Sequence, residues 1–294
     1  MKIGIFSTFI EPAALELIKT VQNAVKSREI PNTEISFIFS NRELGENLTT
    51  DRMLQTLTHQ DTPLILFSAA HFKPDVRKKA KQEEKSGNLS AVQEWRNQFG
   101  EEVLKRLPKT DLDLLLGDMY IWGENLCRQR NGINLHPALP NGPKGEWYKV
   151  IWQLIQEGAK ETGVMMHKVT SELDRGPAVT YCRFPIRGYQ FDSLWQQLPQ
   201  NQEELSRVIK QGLSEQEKTQ HPLHKKIREH GLTHEFPLII QTTKSFAEEN
   251  IRIQGESVLD HLGNPLQKGY DLTRQIDKQV KLIPEGNRRI LERR

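Results

Sequence analysis

Two cysteines, Cys127 and Cys182, are all that this chain of 294 residues contains. So few exclude a disulfide framework as the basis of stability, and both read as core residues. Long hydrophobic runs are missing as well. The opening stretch MKIGIFSTFI is apolar but too short to cross a bilayer, and Glu11 and Pro12 follow it at once. It lacks the pattern of a secretory signal and reads as a buried first strand. A dominant charge is also lacking: 41 basic and 38 acidic residues leave a net +3. Such a balance gives no electrostatic argument for a nucleic-acid or anionic-membrane partner. Neither an internal repeat nor a cluster with metal-ligand spacing is visible. The expectation is a cytoplasmic protein without metal, nucleic acid or membrane partner, whose 36% hydrophobic content can bury one large core or two smaller ones.

What is present is an alternation of short apolar runs and helical patterns. Runs at 2–7, 34–40, 63–69, 112–119 and 132–136 read as strands. Between them, Pro12 suits a first helical position, and Leu17, Ile18, Val21 and Val25 recur at helical spacing. A helix is predicted over 49–60, with Thr50 or Asp51 near its start, and another from Ser90 carries Val92, Trp95, Phe99 and Val103. Strands apolar on both faces and separated by helices argue for an α/β fold with a doubly wound, Rossmann-like, mainly parallel sheet. The charge-dense stretch HFKPDVRKKAKQEEKSG (71–87) reads as a solvated insertion or an anion-attracting mobile loop. A helix at 144–158 precedes strands at 163–169 and 178–186 with no helix between them. From about residue 191 the chain is polar and mostly helical, and its last segment holds the turn signals HLGNP and IPEG.

The chemistry concentrates in two segments. In GINLHPALP (132–140), a strand ending at Pro137 places Asn134 and His136 on one face. The carboxyl edge of an open parallel sheet is where ligands bind. In GVMMHKVTSELDRGP (163–177), the strand gives way to a tight polar loop in which Gly176 permits an unusual backbone angle and Asp174 can approach His136. Two polar residues tied to a neighbouring loop are the plain alternative. An amide, an imidazole and a carboxylate can stabilise an oxyanion and move protons, but none is a strong nucleophile. The set therefore suits direct attack of a substrate amine on a bound acyl group.

NLHPALP followed by ETGVMMHKVTSELDRGP, together with FIFSN (37–41), LDLLLGDMYIW (112–122) and EFPLII (235–240), resembles the formyltransferases that use 10-formyltetrahydrofolate. Within them it is most similar to the glycinamide ribonucleotide enzymes of purine biosynthesis and one-carbon metabolism. The resemblance covers about residues 1–253 and implies a catalytic domain there, with a helical insertion near 191–230 and a separate extension at 254–294. It implies that Asn134, His136 and Asp174 are catalytic. Asn134 and His136 would hold the tetrahedral oxyanion, while Asp174 helps to pass protons to the departing folate nitrogen. The pterin of the formyl donor is expected between Met119, Tyr120, Ile121 and Trp122 on one side and Thr170, Glu172 and Leu173 on the other. His167 and Val169 would flank it. Core packing of Met119, Tyr120 and Trp122, and a purely structural His167, are the alternatives.

The family's Gly-Ser-Asn phosphate turn after the first strand is replaced here by FSTFIEPAAL (6–15), with an acidic Glu11. The amine substrate is therefore assigned to Thr8, Arg42, Pro137 and Glu235. Arg42 stands in for the missing turn as the phosphate ligand, and Glu235 matches a family carboxylate that contacts the amine. A small phosphorylated amine, glycinamide ribonucleotide first, is the expected partner beside the folate, for a monomer or homodimer. Competing readings are transfer to another amine such as an amino sugar, hydrolysis of formyltetrahydrofolate, and a non-catalytic folate-binding protein. A methionyl-tRNA formyltransferase fits less well, because residues 254–294 are too few for its basic carboxyl-terminal barrel.

Overall fold

Ile3 and Ile5 in the first apolar run are both fully buried, as expected of a strand covered on two faces. The structure is a computed structural model that describes residues 1–212 and 221–282. Residues 213–220 of the expected insertion, and 283–294 of the extension with its IPEG turn, lie outside the described residues. In chain order, the first half comprises β1 (Lys2–Ser7), α1 (Pro12–Lys26), β2 (Glu34–Ser40), α2 (Leu48–Thr58), β3 (Leu64–Leu66), α3 (Pro74–Lys85), α4 (Ser90–Arg106), β4 (Leu112–Leu115), α5 (Glu124–Gln129) and β5 (Gly132–His136). The second half comprises α6 (Trp147–Gln156), β6 (Glu161–Lys168), β7 (Ala178–Pro185), α7 (Asp192–Trp195), α8 (Gln202–Gly212), α9 (Pro222–Ala247), β8 (Ile251–Gln254), β9 (Ser257–Asp260), β10 (Tyr270–Asp271) and α10 (Thr273–Leu282).

The chain divides into two units. The first holds Met1–Leu135, His167–Pro177 and Thr243–Leu266. Its strands run in the order β5-β4-β1-β2-β3, and all four neighbouring pairs are parallel, as the sequence predicts. Helix α1 starts at Pro12, after an extended Glu11, and buries Leu17, Ile18, Val21 and Ala24. Helix α2 is capped by Asn47, whose side chain accepts from the Thr49 and Thr50 N–H groups, three residues earlier than Thr50 itself. Two strands are shorter than the apolar runs suggest. β4 stops at Leu115 because Gly117 turns the chain at φ +68°, where a Cβ would stand 2.8 Å from Ala14 Cβ. β3 keeps only three half-buried residues at the end of the row.

The charge-dense stretch 71–87 is neither a loop nor a loose insertion. Most of it is α3, which Pro74 opens and which packs on α4. Ala80 is buried, the Arg77 guanidinium lies 5.5 Å from the Trp95 ring centre, and Arg96 pairs with Glu84 at 2.9 Å. Its charges thus sit on the outer face while alkyl stems and one alanine make the contact.

The second unit holds His136–Met166, Ala178–Thr242 and Gln267–Arg294. Its strand order is β10-β7-β6, with β10 parallel to β7 through Tyr270 opposite Thr180 and Asp271 opposite Tyr181. Helix α6 buries Val150, Ile151, Trp152, Leu154 and Ile155. The EFPLII segment lies inside α9, where Pro237 removes one N–H from the helical ladder. In the first unit, β8 and β9 form an antiparallel hairpin, where the sequence predicts a polar and mostly helical stretch.

Candidate functional site

Four neighbouring strands of the first unit end at one edge, and each end carries a polar side chain. Asn134 is near the end of β5, paired with Leu115 of β4, and is half-buried. Asp118 follows β4, Thr8 follows β1 and Asn41 follows β2. These last three bind one another. Asp118 Oδ1 accepts from Thr8 Oγ1 at 2.8 Å, Asn41 Nδ2 at 3.0 Å and the Tyr120 N–H at 3.2 Å. Thr8 Oγ1 in turn accepts from the Met119 N–H at 2.8 Å and from Asn41 at 3.1 Å. Burial pushes the Asp118 carboxyl up to about 6 despite the hydrogen bonds from Thr8 and the Tyr120 N–H and the nearby Trp122 side chain, which favour its charged form.

The loop after β6 is seated beside β5. The Val169 N–H donates to the Gly132 carbonyl at 2.8 Å, and the Lys168 N–H donates to Pro177 at 2.9 Å, closing the loop's base. Gly176 is needed for close approach rather than for an unusual angle, because a Cβ there would stand 1.7 Å from the Lys168 carbonyl oxygen. The left-handed conformation falls instead on Asp174, at φ 52°, which a short polar side chain tolerates. Asp174 is thereby turned inward, with Oδ1 3.5 Å from His167 Nε2, and the two residues are 9% and 3% exposed. His167 Nδ1 lies 3.1 Å from the Lys168 carbonyl, an obligate acceptor, so Nδ1 carries a proton.

The expected folate residues fall into two sets. Trp122 is 1% exposed with its ring 4.8 Å from that of Phe6, and the Tyr120 ring packs 5.0 Å from Phe99. Burial drives the Tyr120 phenol well above its usual range. Val169 belongs to the same core. Met119 and Leu173 are exposed, as is Glu172, which pairs with Arg175 at 3.3 Å, and Thr170 Oγ1 donates to the Glu172 carbonyl at 2.9 Å. Ile121 is half-buried. At the other end of the row, Arg42 Nη1 donates to Thr50 Oγ1 at 3.1 Å, and Thr50 Oγ1 donates to the Phe9 carbonyl at 2.9 Å.

Three expected residues belong to the second unit. His136 is 2% exposed, and its Nε2 lies 2.9 Å from the Pro143 carbonyl, which fixes the proton on Nε2. Pro137 and Glu235 line one small pocket together with Thr162, Phe184 and Arg228. Glu235 is buried and ion-paired with Arg228, whose guanidinium lies 4.9 Å from the Trp147 ring centre.

Asp118 and Asn41 were absent from the sequence assignment, hidden at the ends of apolar runs. Polar residues closing three adjacent strands were the signal that could have found them. Glu43, Glu46 and His71 have ligand atoms within 4.8 Å of one another, but Glu43 and His71 already face each other at 3.2 Å and Glu46 accepts from the Glu43 N–H. Burial pushes the thiols of Cys127 and Cys182 up to about 12, so neither offers a thiolate nucleophile near neutral pH.

No curated protein matches the chain by sequence. Among solved structures, glycinamide ribonucleotide transformylase 1 from Symbiobacterium toebii is 17% identical over 88% of this chain and 92% of its own, with a TM-score of 0.53. The phosphoribosylglycinamide formyltransferase of Coxiella burnetii is 19% identical over 92% of this chain and 98% of its own, with a TM-score of 0.55. A formyltetrahydrofolate deformylase from Burkholderia mallei is 18% identical over 88% and 70%, with a TM-score of 0.50. At such identities the likeness shows the fold. Residues 35–205, more than half of the chain, match the formyl transferase family model, and the protein belongs to that family.

Proposed function

We propose that this enzyme transfers the formyl group of 10-formyltetrahydrofolate to the primary amine of a small acceptor. The observation that carries the reading is the inward-turned Asp174, held opposite His167 by a loop that Gly176 allows to close on Lys168 and that Val169 seats beside the strand bearing Asn134. In this reading the amine nitrogen attacks the formyl carbon directly. The bond from that carbon to the folate nitrogen breaks, and the proton lost by the amine passes to the folate nitrogen. The Asn134 amide and a doubly protonated His136 imidazole, with Nε2–H on the Pro143 carbonyl and Nδ1–H toward the substrate, stabilise the tetrahedral oxyanion, and Asp174 carries the proton. The raised thiols of Cys127 and Cys182 support direct attack over a covalent acyl-enzyme.

Glycinamide ribonucleotide is the acceptor that the resemblance implies and that the S. toebii structure's name carries, so it heads the assay. Tetrahydrofolate release is measured with a panel of primary amines. Asn134→Ala, His136→Ala and Asp174→Ala should each lower kcat by about 10²–10³, the cost of losing one group that acts on developing charge, with the folate KM little changed. Wild-type turnover in any of the three would remove that residue from the mechanism. Release of tetrahydrofolate without an amine, at the same rate as with one, would favour the hydrolysis named for the B. mallei structure.

A further inference from the structure

We propose that Asp118 is the specificity determinant for the amine acceptor, taking a hydroxyl or ammonium group of that acceptor and excluding a phosphate from the place beside it. The proposal rests on the formyl-transfer reading above and narrows its acceptor. All three protein hydrogen bonds to Asp118 converge on Oδ1. Because Thr8 Oγ1 already accepts from the Met119 N–H, its single proton is committed to Asp118, and the clamp fixes the carboxylate's orientation. Among the described residues, none donates to Oδ2 with hydrogen-bond geometry, and none of their cations lies within ion-pair distance of the group. The Trp122 N–H, on a side chain 1% exposed, acts on the carboxylate yet forms no hydrogen bond of good geometry. Asp118 itself is not sealed off, being half-buried.

Place in the sheet gives this oxygen its role. Asp118 comes three residues after Leu115, which pairs with Asn134 across β4 and β5. An acceptor with its amine at the Asn134 end has its remaining groups over the exits of β4 and β1. There it meets Asp118, Thr8 and Asn41, which offer an anionic acceptor and a hydroxyl oxygen already engaged. Arg42, the cation expected to grip phosphate, stands at the exit of β2, two strand spacings or about 10 Å from β4, and its guanidinium is held by Thr50. A phosphate over β4 and β1 would face a carboxylate with no counter-charge, whereas a hydroxyl or ammonium donates to Oδ2.

Calorimetric titration of the protein loaded with tetrahydrofolate, which carries no formyl group to transfer, with two matched pairs tests this: glycinamide riboside and its 5′-phosphate, and glucosamine and its 6-phosphate. In the pair that binds, the unphosphorylated member should bind at least about tenfold tighter. Asp118→Asn replaces Oδ2 by a donor and should weaken that member by about 10- to 100-fold, while folate affinity stays unchanged. Tighter binding of the phosphorylated member, weakened by Arg42→Ala, would overturn the proposal. So would an unchanged ratio in Asp118→Asn, or no binding by any of the four. If Asp118→Asn does not fold, the wild-type ratio decides alone. Binding is read without turnover, so failure of tetrahydrofolate release with every amine would strike the formyl-transfer reading and leave this ratio to be judged by itself.

Discussion

Gly176→Ala puts one methyl group where the loop has no room for it. The added Cβ would start 1.7 Å from the Lys168 carbonyl oxygen, so the backbones must part by 1.3 Å to reach even a 3.0 Å contact. That movement pulls on the Lys168–Pro177 hydrogen bond, now 2.9 Å, and carries it past the usual limit of a good bond. Losing it costs about 1 kcal/mol. Asp174, two residues away in the same loop, moves with it, and its 3.5 Å contact with His167 opens between two buried groups. Parting a buried pair without removing either partner costs part of the 3–5 kcal/mol seen on deletion, of order 1–2 kcal/mol here. Against these stands a gain of about 0.4–1 kcal/mol from the stiffer unfolded chain. The net expectation is about 2 kcal/mol, or roughly 4–8 °C in Tm. If Asp174 carries protons as proposed, kcat falls by a further factor beyond this stability loss. Differential scanning calorimetry and tetrahydrofolate release measure the two effects. A variant that melts within one degree of wild type and turns over normally would refute the pinned-loop argument.

The buried Arg130–Asp113 pair, 8% and 0% exposed and joined through Nε to Oδ2 at 2.5 Å and Nη2 to Oδ1 at 3.0 Å, gives a second expectation. Asp113→Ala leaves the guanidinium uncompensated and should cost about 3–5 kcal/mol in urea unfolding, while Asp113→Leu with Arg130→Leu recovers most of it; a single-variant loss below 1 kcal/mol would contradict this. His224, fully buried and donating toward the Tyr148 carbonyl at 3.0 Å, is pushed down to about 4 by desolvation. The unfolded chain then binds the extra proton first. Stability is fully present above about 6.5 and falls as pH drops from there to about 4, by about 3 kcal/mol in all. Urea midpoints at pH 7 and 5 should show about 2 kcal/mol of this loss in wild type and much less of it in His224→Gln.

The strands were legible where burial on both faces left long apolar runs. β1, β2 and β5 begin and end at the predicted residues. β4 was overread because periodicity cannot see a left-handed glycine inside an apolar stretch. The stretch 71–87 was misread because Arg77, through its stem and ring contact, does the work of an apolar residue against Trp95. At the site, the loop around Asp174 was visible from Gly-Pro chemistry, but its neighbour was not. Two histidines, His136 and His167, stood within sequence reach of it, and pattern alone cannot choose between them. Asp118 was hidden for a further reason: its partners Thr8 and Asn41 lie 110 and 77 residues away, and only the strand order brings them together.

The short pairing of β10 on β7 has a bearing on how the molecule keeps to itself. Tyr270 and Asp271 cover part of the outer backbone of β7, and the Leu272 N–H donates to the Tyr181 carbonyl at 2.8 Å. Just beyond, Thr273 Oγ1 takes the Arg183 N–H at 3.1 Å, so α10 continues the cover by side chain where the strand has stopped. Remove everything from Gln267 onward and an eight-residue strand would be left with its outer peptide groups unsatisfied, a ready template for a strand of another molecule. The carboxyl-terminal segment thus works as a sheath. A protease that clips ahead of Tyr270 would bare that backbone and invite a strand of another molecule onto it.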